Sequence, residues 1–303
     1  MTRSTSRRNL FTIAPGAPFL KNFVRAFFSG RILPSLSYAS SPFTIATTKI
    51  YVPTRRAAQA LKLEFEQSSF GQALLLPQIL PLGGLVEYAS QDLFSIDEDN
   101  SFDFFSSSIG ELERRFILAE LILSWSKSFQ HAIVSISNEG RVNYDTREPF
   151  LVTPTPSAAY LLARELANLI DEFNIEDINL QNLKKIVDDN FDPYWSITSQ
   201  FLDIALTEWP KILDHKKLMD NSIRRKKIIE AQAHLLETDK SLTPIIAIGS
   251  TGAQPATARL LTAISKLENG AVVLPGLDHE MSDASWDCLG PVSYTHLRAH
   301  ETE

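Results

Sequence analysis

Short β-rich runs alternate with amphipathic stretches at the start of the chain. Leu10–Ile13 is an apolar, β-rich run followed by a Pro-Gly turn, and Phe19–Phe28 then repeats apolar residues at helical spacing. A second run, Lys49–Val52, leads into "PTRRAAQALKLEFEQ", in which Thr54 is placed to cap a helix. Ala73–Leu76, followed by proline, is a candidate third strand. Successive strand-then-helix units predict a parallel α/β sheet with right-handed crossovers.

The pattern changes in the middle of the chain. Residues 94–108 are acidic and rich in serine, which is typical of a linker. Apolar positions then recur at helical spacing in four segments as far as about residue 239, which predicts a helical bundle. Ser157 is the expected N-cap of the second segment. The expected buried faces are Leu112, Phe116, Ala119 and Leu123 in the first segment and Ala158, Leu162, Leu166, Leu169 and Phe173 in the second.

A strand-rich pattern returns after this block. Thr243–Ser250, "TPIIAIGS", is a continuous run bounded by proline and glycine, as expected for a buried parallel strand. A helical segment and another strand, "GAVVLPG", follow it. The simplest organisation is an α/β core formed by residues 9–100 and 241–291, with residues 101–240 as a large all-helical insertion.

Composition describes a globular chain of 303 residues, 44% hydrophobic and 21% charged, long enough for roughly two domains. The one cysteine, Cys288, excludes a disulfide framework and a cysteine-bound zinc or iron–sulfur cluster within this sequence. A reducing cytoplasm is the expected compartment. No apolar run approaches the roughly 20 residues of a membrane helix, so no membrane partner is expected.

The last residues, 292–303, read "VSYTHLRAHETE" and follow neither a helix nor a strand pattern. They are similar to a translated sequencing adapter, so we expect a non-native tail after a natural sequence that is cut near Pro291. A genuine polar tail is the alternative. His296 and His300 therefore enter no candidate site.

Charge is distributed unevenly along the chain. No Asp or Glu precedes Glu64, so the first 63 residues carry +10 and the remainder carries −17. A basic block in an acidic chain favours a surface that binds a polyanion. A transit peptide and a merely solvated basic face are the alternatives. The strand-like runs inside the block argue against a cleaved leader.

The first strand, turn and helix form the scaffold on which P-loop proteins bind phosphate, but the string G-x-x-x-x-G-K-[ST] is missing. After Gly16, Pro18 removes an amide donor, and Phe19 and Leu20 stand where backbone must approach phosphate. Lys21 is followed by Asn rather than by Ser or Thr. We therefore expect a degenerate nucleotide loop, marked by Gly16 and Lys21, that does not bind ATP.

Catalytic and metal-binding patterns are also missing. The strand best placed to carry a magnesium-binding carboxylate ends in Gly249–Gly252 instead. Asp278 is the one acidic candidate after the next strand, and a turn-capping role competes with it. The four histidines before the tail are too far apart for ligand spacing: His131, His215, His234 and His279. Three tryptophans on helical stripes are expected in the core: Trp125, Trp195 and Trp209.

Thr54, Arg55 and Arg56 are the candidate binding residues, because they lie where a strand end meets a helix start, the usual ligand edge of an α/β sheet. Amides, a hydroxyl and two guanidiniums at one helix start suit a phosphodiester. The helix macrodipole disfavours arginine in a first turn, so helix stability does not explain the pair. Solvated first-turn residues without a ligand are the alternative.

Four segments in this order resemble the N-terminal part of the AddB family, in its alphaproteobacterial form: "FTIAPGAPFL", "IYVPTRRAAQAL", "PIIAIGSTGAQPATARLLTAI" and "GAVVLPGLD…SWD". AddB proteins are subunits of the AddAB helicase–nucleases of double-strand-break repair. The resemblance covers roughly residues 9–290, more loosely in the helical block. It implies a superfamily-1 helicase-like domain that has lost its motor, with the helical block as an inserted subdomain.

The resemblance also implies partners, cofactors and a site. An AddA-type motor subunit supplies ATP-driven translocation, while the AddB subunit scans the single strand at a DNA end for a recombination hotspot. By position, Thr54, Arg55 and Arg56 match the helicase motif that touches the single strand. The family's iron–sulfur cluster and magnesium belong to a C-terminal nuclease domain beyond residue 290, so no cofactor is expected here. The alternatives are a divergent P-loop ATPase or helicase, and a scaffold that docks the motor through its helical block.

Overall fold

The computed structural model describes most of the sheet and helix segments in two compact units. The described residues are 9–37, 41–68, 74–84, 107–132, 134–136, 142–144, 155–178, 201–238, 242–276, 282 and 284–285. The first unit comprises Met1–Leu82, Asp239–Thr251 and Leu261–Glu303, and the second comprises Gly83–Thr238 and Gly252–Leu260.

A five-stranded parallel sheet forms the centre of the first unit. Its strands are β1 Leu10–Ile13, β2 Lys49–Val52, β3 Gln78–Pro81, β6 Ile245–Ile248 and β7 Gly270–Pro275, in the order β1-β7-β6-β2-β3. All four neighbouring pairs are parallel; Leu10 pairs with Val272, and Lys49 pairs with both Gln78 and Ile245. The predicted α/β class with a parallel sheet is therefore confirmed.

Helices α1 (Phe19–Phe28), α2 (Pro42–Thr47) and α3 (Arg55–Ser68) belong to this unit, and α8 (Pro255–Lys266) connects β6 to β7. Phe27 and Phe28 of α1 meet Phe65 of α3 edge-to-face, with ring centroids 5.3 and 5.7 Å apart. The same core cluster contains alternate strand residues, among them Ile50, Val52, Ile246, Ile248, Ala271 and Val273. The intervening residues Tyr51, Ala247 and Val272 are buried as well, which explains why these strands read as continuous apolar runs.

The third strand lies later in the chain than the sequence predicted. Leu74 and Leu76 pack against the core without forming a strand, and Ala73 lies outside the described residues. Pro77 has no N–H to donate to a ladder, and pairing begins at the next residue, where the Gln78 N–H donates to the Thr48 carbonyl at 2.9 Å. Strand β3 therefore begins after the proline.

The second unit contains α4 (Glu111–Ala132), α5 (Pro156–Glu176), α6 (Trp209–Lys216) and α7 (Asn221–Thr238), with a π-helical turn, Ile204–Glu208, leading into α6. It is not all-helical, because β4 (Val134–Ile136) and β5 (Val142–Tyr144) pair antiparallel. Both strands carry β-branched residues, and the sequence between them, "SNEGR", contains Asn and Gly, which favour a turn.

The predicted buried faces of α4 and α5 are displaced around each helix. Leu112 and Phe116 are 61% and 55% exposed, whereas Ala119 is buried as predicted and Leu118 and Ile122 are fully buried. In α5 the buried residues are Ala159, Ala163, Leu166, Ala167 and Ile170, so of the predicted face only Leu166 is fully buried. The alanines, spaced four apart, leave little side chain between the two backbones, so the small residues face inwards and the larger leucines flank them.

The N-cap of α5 is Thr155 rather than Ser157. The Ala158 N–H donates to Thr155 Oγ1 at 3.3 Å. Pro156 occupies the first helical position, where its missing N–H is not needed, so the cap lies two residues before the predicted one.

A buried arginine connects the helices of the second unit. Arg114 Nη1 donates to Asp171 Oδ2 at 2.8 Å, and Arg114 Nη2 donates to the Ala167 carbonyl at 3.2 Å. Arg114 Nε lies 3.0 Å from Asp220 Oδ1, which makes the two groups an ion pair. The angle between them does not meet the geometry of a hydrogen bond. Asp220 accepts from Trp209 Nε1 at 3.0 Å. Burial raises the pKa of Asp220, and the charge of Arg114 opposes that rise.

Replacing Arg114 with Ala should lower the free energy of unfolding by about 3–5 kcal/mol, because Asp220 would remain buried without its cation. Urea denaturation followed by circular dichroism measures the loss. Arg115→Ala is the matched control, because this neighbouring arginine is more exposed and pairs with Glu111 one turn away. An Arg114→Ala variant as stable as the Arg115→Ala variant would contradict a stabilising role for the buried network.

Asp177 ends α5 in the left-handed region, with φ 60°, and binds Lys226 and Arg259. The hydrogen bond from Lys226, followed by that from Arg259, lowers the pKa of Asp177. Its stabilisation is therefore present above the unfolded-state pKa and is lost as the pH falls through the lower folded-state pKa. Asp177→Asn removes the charge while suiting the left-handed backbone.

We expect Asp177→Asn to be less stable than the natural chain at neutral pH, with the difference shrinking on acidification. Urea midpoints measured from neutral pH down to the lowest pH of cooperative unfolding test this. A difference that stayed constant with pH would show that the charge of Asp177 does not contribute.

Candidate nucleic-acid interface

The loops at the carboxyl ends of the strands lie along one edge of the sheet, because all five strands run in the same direction. Along this edge, β1 is followed by Ala14–Gly16, β7 by Gly276, β6 by Gly249–Thr251 and β2 by Pro53–Arg56. Helices α1 and α3 begin at the same edge, so their positive N-terminal ends face it. We call this part of the first unit the carboxyl edge.

Thr54 caps α3 as the sequence predicted. Its Oγ1 accepts a hydrogen bond from the Ala57 N–H at 3.1 Å, and the Ala58 N–H donates to the Thr54 carbonyl at 3.0 Å. The hydroxyl hydrogen of Thr54 is not used in this cap and can donate to an anion. Thr54, Arg55 and Arg56 are all exposed, with the two arginines at the first two helical positions.

The loop after β6 lies beside the loop after β2. Strand β6 pairs directly with β2, Ile246 opposite Ile50 and Ala247 opposite Tyr51. A Cβ added at Gly249 would be 3.8 Å from Cδ of Pro53, which places the start of the glycine-serine-threonine loop against the residue before Thr54. Sequence order separates these two loops widely, so this neighbourhood was not predicted.

An aromatic ring also lies against the backbone after β6. A Cβ added at Gly249 would be 3.4 Å from Cε1 of Phe19, the first residue of α1. In the same way, Pro15 lies against Gly276, with its Cβ 3.7 Å from a Cβ added there. Apolar contacts therefore fill part of the carboxyl edge between β1 and β6, where a P-loop protein presents amides to phosphate.

The expected degenerate loop lies after β1. Gly16 adopts φ +78° and has open space around the position of a Cβ, and Lys21 is exposed in the first turn of α1. Pro18 precedes the helix and provides no side-chain cap. Because β7 and β6 lie between β1 and β2, this loop is three strand spacings, about 14 Å, from the Thr54–Arg56 loop. Gly16 and Thr54 therefore share an edge but lie three strands apart, whereas α1 begins with Phe19 beside Gly249.

Electrostatics favour an anion at this edge. The described residues of the first unit include eight Lys or Arg and only three Glu, namely Glu64, Glu66 and Glu268. The first turns of α1 and α3 contain no acidic residue. At the edge itself, Lys21, Arg55 and Arg56 lie in the first turns of α1 and α3, where they and the helix N-termini add to a positive potential that no first-turn carboxylate offsets.

The other candidate residues do not join this edge in the described part of the chain. His215 and His234 are exposed on α6 and α7, and His131 belongs to α4. Trp209 is buried and Trp125 packs on Phe201 with centroids 5.5 Å apart, which confirms the core prediction for these two tryptophans. The candidates outside the described residues are Asp278, His279, Cys288, Trp195 and the tail 292–303.

The described residues contain no group of three or more His, Cys, Asp or Glu side chains arranged to hold a metal ion. Arginine, hydroxyl and helix N-terminus, which the carboxyl edge brings together, are groups that bind anions. Sequence reasoning found Thr54, Arg55 and Arg56 but missed the position of Phe19 over Gly249. No local signal in the sequence indicates that contact.

Substitutions at Gly249 and Gly16 test how closely Phe19 covers the edge. Both glycines have positive φ, so alanine at either should cost about 1–2 kcal/mol of unfolding free energy. Leucine should lower the free energy of unfolding more than alanine does at Gly249, because the longer side chain must displace the Phe19 ring. At Gly16, where the surrounding space is open, alanine and leucine should cost similar amounts. Equal costs of alanine and leucine at Gly249, measured by urea denaturation, would contradict the contact.

The described helices include none that combines the length and the apolar character needed to cross a membrane. No protein-family model matches the chain, and no curated protein has a significantly similar sequence.

Proposed function

We propose that this chain is the N-terminal, motor-inactive helicase-like part of an AddB-type subunit, acting in double-strand-break repair in the cytoplasm. It binds single-stranded DNA at the carboxyl edge of its sheet and an AddA-type motor subunit elsewhere. The motor subunit supplies ATP-driven movement along DNA ends, and this chain contributes contacts to the strand. Residues 101–240 serve in this proposal as the inserted subdomain of the helicase-like domain.

One observation carries the DNA-binding part of the proposal. Thr54, Arg55 and Arg56 are exposed together at the start of α3, at the carboxyl end of a strand within a parallel sheet. Arginine fits phosphate with two parallel hydrogen bonds, and a helix N-terminus adds amides and a positive partial charge. Contacts of this kind recognise the sugar–phosphate backbone and position it without reading the bases.

The apolar contacts at the same edge support a role without nucleotide hydrolysis. The ring of Phe19 faces Gly249, and the loop after β6 offers Ser250 and Thr251 where a hydrolysing site needs a carboxylate for magnesium. An extended phosphodiester can bind the exposed arginines from outside the edge. A triphosphate, by contrast, requires a loop that wraps around it.

The test is binding of a fluorescent oligo-dT single strand by the full chain at increasing salt. Each lost phosphate contact should make the plot of log affinity against log salt shallower by about 0.7 for a single strand. We therefore expect Arg55→Gln/Arg56→Gln to weaken binding and to reduce the slope by about 1.4. Fluorescence anisotropy measures both quantities.

Lys211→Gln/Lys216→Gln is the matched control. It removes the same charge from exposed residues of the second unit that pair with Glu208 and Glu113. Salt-independent binding, absence of binding, or an equal effect of both double variants would contradict the proposed contact. Thr54→Ser retains the cap and should bind as the natural chain does. Thr54→Ala should also lose about 1 kcal/mol of stability, so a loss of binding in that variant does not by itself report on the hydroxyl.

A further inference from the structure

Helix α1 presents an exposed face whose charged residues are all cationic. Lys21 and Arg25 are one turn apart on this face, and Arg31 is exposed just after the helix ends. Together these three residues are called the α1 basic face. The opposite side of α1 is buried through Phe23, Val24, Phe27 and Phe28, so the core holds the helix in place.

The backbone fixes Arg31 relative to the helix. The Gly30 N–H donates to the Phe27 carbonyl and the Arg31 N–H donates to the Ala26 carbonyl, both at 3.2 Å. Gly30 adopts φ +69°, so these bonds form a Schellman motif that ends the helix. Lys21 and Arg25 are therefore about 6 Å apart along the helix axis, and the motif holds Arg31 just beyond the helix end.

The α1 basic face differs from several exposed cations of the second unit in how its charges are balanced. Lys21, Arg25 and Arg31 form no ion pair with the described residues. Three exposed cations of the second unit, by contrast, have carboxylate partners: Arg164 with Glu165 at 2.8 Å, Lys211 with Glu208 at 3.0 Å and Lys216 with Glu113 at 2.9 Å.

Helix stability does not explain this set of charges. The macrodipole favours Arg25 in the last turn of α1, but it disfavours Lys21 in the first turn. A stabilising pattern would place a carboxylate one turn from either cation, and no acidic residue precedes Glu64 in the sequence. A fixed row of cations without carboxylate neighbours is instead complementary to a polyanion.

We propose that the α1 basic face is a second backbone-binding surface for the same single strand, an inference that rests on the proposed function. Helices α1 and α3 pack on the same side of the sheet and begin at the same edge. The start of α1 lies against Gly249, which also lies against Pro53, so a strand held by Arg55 and Arg56 can continue to Lys21 and along α1 towards Arg31. This surface contacts phosphates only, so binding through it does not depend on base sequence.

The experiment compares two triple variants of the full chain in binding to fluorescent oligo-dT. Lys21→Gln/Arg25→Gln/Arg31→Gln should make the salt slope shallower by about 2. Between about 50 and 200 mM salt, the natural chain should then lose roughly 20-fold more affinity than this variant does. The matched control, Arg164→Gln/Lys211→Gln/Lys216→Gln, removes the same charge from paired positions and should leave the slope unchanged.

The outcomes separate this inference from the proposed function. If Arg55→Gln/Arg56→Gln reduces the slope but the α1 variant does not, the second surface is wrong and the Thr54–Arg56 site stands. If both triple variants reduce the slope equally, the effect is one of net charge and the inference fails. The natural chain could bind phosphatidylserine vesicles and the α1 variant could lose that binding while its binding to oligo-dT is unchanged. That result would assign the face to a lipid surface and overturn the inference.

Discussion

All five strands of the sheet run in the same direction, and the position of each candidate contact follows from that constraint. Parallel strands place their carboxyl ends on one edge, so loops far apart in sequence become neighbours there. The same constraint requires a crossover between strands, so helices cover the sheet and α1 and α3 both begin at this edge. Burial of both sheet faces leaves the edge as the place where exposed loops, helix N-termini and ligand-binding side chains meet.

The two units balance their charges in different ways. In the second unit, Arg114 is buried among Asp171, Asp220 and the indole of Trp209, and several exposed cations pair with carboxylates on the surface. A buried cation requires such partners, because removing it from water is costly. In the first unit, the cations of α1 lie on the surface with no acidic residue preceding Glu64 in the sequence. Charge therefore holds helices together in the second unit, whereas the exposed cations of α1 form no ion pair with the described residues.

Local sequence patterns predicted some elements accurately and others poorly. Strands β1 and β2 and helix α1 have the predicted bounds, because prolines and glycines end them and their apolar periodicity is strong. The faces of α4 and α5 were less predictable, since a search for large apolar side chains overlooks a helix that buries alanines and an arginine. The Thr54 cap was predictable because capping involves residues only three positions apart.

The sequence by itself determined the α/β class, the acid-free basic block, the missing P-loop string and the grouping of Thr54, Arg55 and Arg56, all of which depend on residues close together in the chain. Only the tertiary structure decided that β6 lies beside β2, that Phe19 faces Gly249 and that Arg114 is buried with Asp220. The physical reason is that strand order and side-chain contact depend on which distant segments bury their apolar faces together. Apolar periodicity predicts that a segment has such a face, but it does not predict which other segment covers that face.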